Sequence, residues 1–360
     1  MHIPDGYLSP STCAAMYLGA APFWYVAMQR LKRLLHTRFV PLLSLFAAFS
    51  FVVMMFNLPL PGGTTGHAVG VGIATIVLGP WAAILSISIA LLIQALFFGD
   101  GGITAFGANC FNMAVVGSLV TYGIYKLVAG SSAITATRRV FAAGLAGYAA
   151  INASALCAAI EFGIQPLLFR DAAGAPLYAP YPLSIAIPAM LIGHLTIAGL
   201  AELVLTAGVV GYLQRTDPAL LQRTAPPSAA IASSNPAVAG SNLDGSHRTM
   251  RRLWVALSML LILTPLGILA VGTAWGEWTS QDFSDPAMRQ EISKATGQAP
   301  PVNAPSGLKR LSTLWTAPFP RYAPAVIRSA SFGYALSGMI GVGLIVLVCS
   351  LAGLGGRKQT

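Results

Sequence analysis

Three nitrogen donors stand within the first two residues of the chain: the α-amine of Met1, the main-chain nitrogen of His2 and the His2 imidazole. Held by one metal ion, they close two fused chelate rings and leave one position of a plane open, which the imidazole of the distant His67 can fill. Four nitrogens in a plane suit Ni(II) or Cu(II) rather than zinc. The chelate forms only if residue 1 keeps a free amine. The bulk of His2 disfavours removal of the initiator methionine, so the mature chain is expected to start at Met1. Taken alone, such a terminus is an ordinary frayed end; its donors gain weight only if the rest of the chain brings His67 to them.

The chain behind them is built for a bilayer. It is 55% hydrophobic and 9% charged, with several apolar runs long enough to cross the roughly 30 Å hydrocarbon layer. No cleavable signal is expected, because Lys and Arg are missing before the first run and no small-residue cleavage site follows. The formal charge of +10 reads as cytoplasmic loop charge and implies no nucleic-acid partner. Cys13, Cys110, Cys157 and Cys349 are scattered through apolar runs, without the paired spacing of a zinc site or a disulfide framework.

A first span over 12–29 ends in Arg30, Lys32, Arg33 and Arg38, which the positive-inside rule places in the cytoplasm, leaving the N-terminus outside. A second span, 39–57, returns outward and delivers a loop, 58–67, that carries His67 to the face where Met1 lies. The apolar segment 68–78 is short for a crossing, yet parity demands one, since without it Arg138 and Arg139 fall outside. Further spans are expected over 81–98, 103–128, 140–163 and 184–212. On this count residues 1–215 place eight Lys or Arg inside and only Arg170 outside.

Polar residues in and between these spans are the next candidates. Asp100 stands beside glycines at the outer mouth, where it can orient a histidine or attract cations. Asn109 and Asn112, three apart, share a helix face and should point into the bundle, as polar glue or as support for the metal site. His194 and Glu202, eight apart, lie on roughly one face of the seventh span, and ionisable side chains within a membrane mark function by default. At about 1.5 Å per residue His194 falls near mid-membrane and Glu202 toward the cytoplasm. Neither would touch an ion held by Met1, so packing or conformational coupling is the expected role of both.

After Arg215 the composition turns to Ala, Ser, Pro and Asn, the signature of a flexible cytoplasmic linker over 216–248 in which His247 is solvated. An eighth span, 253–275, and a ninth, 331–354, flank an external loop, 276–330, and form a separate small module. Within it Pro305-Ser306-Gly307-Leu308-Lys309 and Trp315 read as turns and interfacial aromatics. The expected fold is an all-α polytopic membrane protein: a seven-helix transmembrane bundle over 1–215, the linker, and a two-helix transmembrane module over 249–360.

Four separated motifs occur in order: the start Met1-His2-Ile3-Pro4-Asp5-Gly6-Tyr7-Leu8, the His67 loop, the run from Asp100 through Gly107-Ala108-Asn109-Cys110-Phe111-Asn112-Met113, and the seventh span from Gly193-His194 to Glu202. Together they resemble the cobalt/nickel transport membrane proteins of the CbiM/NikM family, substrate-capture components of energy-coupling-factor transporters. Residues 249–360 resemble the small two-span partner of such systems, or a related domain named for a Pro-Asp-Gly-Leu-Glu motif; Ser306 and Lys309 stand where that motif has its two acids. The resemblance implies an inner-membrane capture protein in which Met1, His2 and His67 hold Ni(II) or Co(II) as transported substrate, with no prosthetic group. It also implies a transmembrane coupling protein and a pair of cytosolic ATP-binding-cassette ATPases as partners.

The chain carries no Gly-x-x-x-x-Gly-Lys-Ser/Thr phosphate loop, so ATP hydrolysis would belong to those partners. A proton-coupled secondary transporter would want several buried carboxylates, and Glu202 is the only clear one. A membrane-embedded enzyme built on His194 and Glu202 would want a recognisable constellation, and neither a His-Glu-x-x-His pair nor a nucleophile elbow is present. A transport component, not an enzyme, is the expectation.

Overall fold

The computed structural model describes residues 1–32, 39–225, 242–270, 272–324 and 326–357. Arg33, Arg38, Lys358, the central part of the expected linker and the side chain of His247 lie outside the described residues.

Helix α1 (Pro10–Leu31) starts where Ser9 caps it, its hydroxyl accepting from the Thr12 amide, and where Pro10 takes a position that needs no amide hydrogen. Helix α2 (Phe39–Met54) is buried along almost its whole length. The loop expected after it is a small antiparallel hairpin, β1 (Leu58–Leu60) against β2 (Thr64–Gly66). Residues 67–70 then run non-helically through the protein interior to a short helix, α3 (Val71–Leu78). Helices α4 (Pro80–Phe98), α5 (Phe106–Ala129), α6 (Thr137–Leu168) and α7 (Leu183–Thr216) complete the first bundle. Beyond them come α8 (Asn242–Leu263), two short helices, α9 (Pro286–Thr296) and α10 (Ser306–Leu311), and α11 (Ala330–Arg357).

Among the described residues six helical stretches are long and apolar enough to cross a membrane: α4 to α7, Arg248–Leu269 and Ala330–Leu354. Helix α1 is less apolar, α2 has 16 residues and α3 has 8, so a count of seven and two requires these three to cross as well. The eighth span ends earlier than its hydropathy suggests. Pro265 interrupts the α-helical ladder and the chain tightens into a 3-10 turn, Thr264–Leu269. Trp275 therefore joins Phe162, Tyr181 and Trp278 in an aromatic cluster outside the span.

Two stretches expected to be free of structure pack against the bundle. Pro218–Thr224, at the head of the expected linker, forms a turn whose Thr224 hydroxyl donates to the Ile76 carbonyl at 2.7 Å, beneath α3. The segment between α8 and α11 is bonded to the first bundle through its main chain: Gly307 N donates to Leu177 O at 2.8 Å and Phe319 N to Phe97 O at 2.9 Å. The residues read as a turn at 306–309 begin α10, and Leu308 rests on Gly6. Gly6 has φ 89°, and a Cβ there would stand 2.7 Å from Leu308 Cα, so only glycine fits. Helix α11 packs along α2, with the Tyr334 hydroxyl donating to Met55 O at 2.8 Å.

Candidate metal centre

The first residues form no helix, yet Met1, His2, Ile3, Tyr7 and Leu8 are all buried. What seats them is polar. Asn109 imitates a neighbouring strand: its Oδ1 accepts from Ile3 N at 2.8 Å and its Nδ2 donates to Ile3 O at 3.1 Å. Gly102 N donates to the same carbonyl at 2.8 Å. The Asp5 carboxylate accepts from Ile103 N at 3.1 Å and Thr104 N at 2.7 Å. A Cβ on Gly102 would come within 2.3 Å of the Asp5 nitrogen, so this crossing requires glycine. Such bonds, worth about 0.5–1.5 kcal/mol each, offset the roughly 1–2 kcal/mol per residue that ordering a terminus costs.

The seat brings the two predicted imidazoles face to face. His67 Nε2 lies 3.3 Å from His2 Nδ1, with ring centroids 5.0 Å apart. The Ala68 carbonyl, 3.0 Å from His67 Nδ1, can only accept, so Nδ1 carries the hydrogen and Nε2 turns its lone pair toward His2. Burial, helped by the nearby N-terminal charge, pushes the His2 pKa down to about 3. Burial also holds His67 well below the usual imidazole range, with His2 and the terminal charge adding to it. Both rings are thus neutral, the form that ligates. His2 Nε2 and Gln94 Oε1 are both buried without a hydrogen-bond partner. A metal on His2 Nδ1 would put the hydrogen on Nε2, and Gln94 Oε1 is the acceptor at hand.

Carboxylates stand beside the pair. Asp100 Oδ1 is 3.1 Å from His2 Nδ1, while its Oδ2 accepts from the Tyr322 hydroxyl at 2.6 Å and from Gln94 Nε2 at 3.3 Å. Glu277 Oε1 is 3.8 Å from the Met1 amine. Burial raises the pKa of both acids, Glu277 to about 7, and the terminal amine opposes this at each. His2, His67, Asp100, Glu277 and Tyr322 line a cavity of about 380 Å³ between the bundle and the segment that joins α8 to α11. Sequence reasoning missed Gln94, Glu277 and Tyr322. Gln94, a lone amide in an apolar helix, carried the same signal as Asn109. Glu277 between Trp275 and Trp278 signalled a packed segment, whereas nothing local pointed to Tyr322.

Of the other sequence candidates, Asp100 and Asn109 reach the centre and three do not. Asn112 donates to Glu161 Oε2 at 2.9 Å, across to α6. Its partner differs from that of Asn109 because Cys110–Val116 is π-wound, which breaks the three-residue register. His194, in another π-wound turn, has Nδ1 2.7 Å from Met190 O and a buried Nε2 without a partner. Glu202 accepts from Val69 N at 2.8 Å, Gly70 N at 2.9 Å and Gly72 N at 3.1 Å. The chain after His67 dips non-helically into the bundle and meets Glu202 there, so that Glu202 touches neither Met1, His2 nor His67 directly. Among the described residues no three His, Cys, Asp or Glu side chains are grouped to hold a metal.

Residues 2–220 match the family described as the cobalt uptake substrate-specific transmembrane region, and residues 249–358 match the PDGLE domain. The fused nickel transport protein NikMN of Rhodobacter capsulatus is 57% identical over 347 residues, 96% of this chain and 95% of that protein. The cobalt transport protein CbiM of Geobacter sulfurreducens is 34% identical over 226 residues, 62% of each chain. Among solved structures, a truncated transition metal transporter, 51% identical, superposes with a TM-score of 0.56, covering 60% of this chain and 99% of its own.

Proposed function

Because the chain belongs to the family of cobalt uptake substrate-specific transmembrane regions, with a PDGLE domain carried behind it, we propose that it captures Ni(II) or Co(II) at the outer membrane face through four nitrogens: the Met1 amine, the His2 main-chain nitrogen, His2 Nδ1 and His67 Nε2. It is a multi-pass membrane component of nickel or cobalt transport, not an enzyme, and the metal is its transported substrate. The observation that carries the chelate is the 3.3 Å approach of the two imidazole nitrogens beside a buried amine. Donors about 2.0 Å from one ion stand about 2.8 Å apart at adjacent corners of a square, so a closure of about 0.5 Å seats it.

Capture replaces the ion's waters by nitrogen and takes a proton from the His2 amide. The domain division is 1–215 for capture, 216–248 for the linker and 249–360 for the two-span module, with support from the matched ranges 2–220 and 249–358. The Lys and Arg asymmetry of the loops supports an external N-terminus. A transmembrane coupling protein and cytosolic ATP-binding-cassette ATPases complete the transporter, and ATP-driven reorientation of the bundle opens the chelate inward. Titration of the purified chain with Ni(II) and Co(II) tests the donor set. His2→Ala or His67→Ala is expected to abolish tight binding, and wild-type affinity in either variant would refute it.

A further inference from the structure

Non-helical backbone at membrane depth is tolerated only where its polar groups find partners within the protein. Residues 67–70 are such backbone, buried throughout. Glu202, on α7, serves this segment and the first turn of α3 after it: Oε2 accepts from Val69 N and Gly70 N, and Oε1 from Gly72 N. Among the described residues no Lys, Arg or His forms an ion pair with Glu202. The contact has no slack, since a Cβ on Gly72 would stand 2.5 Å from Thr206 Oγ1 and 3.0 Å from Gly147 Cα.

One peptide group connects this carboxylate to the imidazole. The Ala68–Val69 unit gives its N–H to Glu202 Oε2 at 2.8 Å, while its carbonyl, the Ala68 oxygen, lies 3.0 Å from His67 Nδ1. A peptide is planar and polarisable, so fixing its N–H end fixes the direction of its carbonyl and strengthens it as an acceptor. Outer partners of a ligating histidine set its tautomer, ring orientation and basicity. We propose that Glu202 is a positioning residue for the metal site, acting through the Ala68–Val69 peptide to hold His67 Nε2 toward the ion. Helix α7 is then the element whose movement displaces the fourth nitrogen. This rests on the reading of His67 as a ligand.

The test is Ni(II) titration of the full chain in nanodiscs, as wild type, His67→Ala and Glu202→Gln, following affinity and the visible absorption of the bound ion. Glu202→Gln keeps the volume but sets an NH2 against a backbone N–H. It is expected to weaken binding by about tenfold or more and to shift the absorption band, which a general loss of stability would not do. Tight binding lost in His67→Ala but unchanged in Glu202→Gln, with the same band, overturns this inference alone. Unchanged binding in His67→Ala overturns the ligand assignment and this inference with it. Should Glu202→Gln fail to fold, hydrogen exchange in the wild type decides: slower exchange at Val69 and Gly70 on Ni(II) loading supports the link, and unaltered exchange overturns it.

Discussion

Asn109 does for Ile3 what a neighbouring strand would do, and the position of His2 follows from that pair of bonds. Asn109→Ala leaves the buried Ile3 amide unpaired, at a cost of about 1–3 kcal/mol. It is expected to lower Ni(II) affinity by about tenfold, read by titration beside a thermal melt. The imidazoles set a pH signature. The folded pKa of His2, about 3, lies below the ordinary 6.5, so the unfolded chain binds the extra proton first. The metal-free protein should therefore lose stability as pH falls from 6.5 toward 3, and show no such loss from His2 above 6.5. Melts of the wild type and His2→Gln across that range check the sign, the variant being the flatter. At this scale the meeting of His2 with His67 was legible in the sequence, because three nitrogens in two residues need no fold to be recognised as candidate donors. Gln94 and Tyr322 were not, because their contribution exists only once π-winding and a distant loop bring them to Asp100.

At the scale of elements, the crossing of the N-terminal segment over residues 101–104 is a tight local fit. Gly102→Ala places a Cβ against the Asp5 nitrogen and is expected to free the terminus while the helices persist. Faster hydrogen exchange at Ile3 with unchanged helical circular dichroism would record that, and unchanged exchange would count against the seat. The long helices α4 to α7 were readable from their apolar runs to within a few residues, because lipid-facing surface writes itself into composition. The π-wound turns were not, since a shift in hydrogen-bond partner leaves no compositional trace. The hairpin at 58–66 was hidden for a related reason: Pro59, Pro61, Gly62 and Gly63 spell a loop, and only the pairing of residues 58–60 with 64–66 makes strands on either side of the turn.

At the scale of the whole molecule, the segment between α8 and α11 lies over the cavity that holds both imidazoles. Its contacts join residues far apart in the chain, Tyr7 with Trp278 at 2.7 Å and Tyr322 with Asp100 at 2.6 Å, and no local pattern could have shown them. Tyr322→Phe removes the donor that steadies Asp100 and is expected to speed Ni(II) dissociation several-fold, measured by stopped-flow chelator competition, with the helical content unchanged. All of this converges on one requirement, an unblocked amine at residue 1 within reach of His67. Its most direct measurement is Ni(II) titration of the chain that begins at Met1 beside the same chain carrying one additional residue before it. The account predicts tight binding in the first and its loss in the second, while equal affinity in both would contradict it.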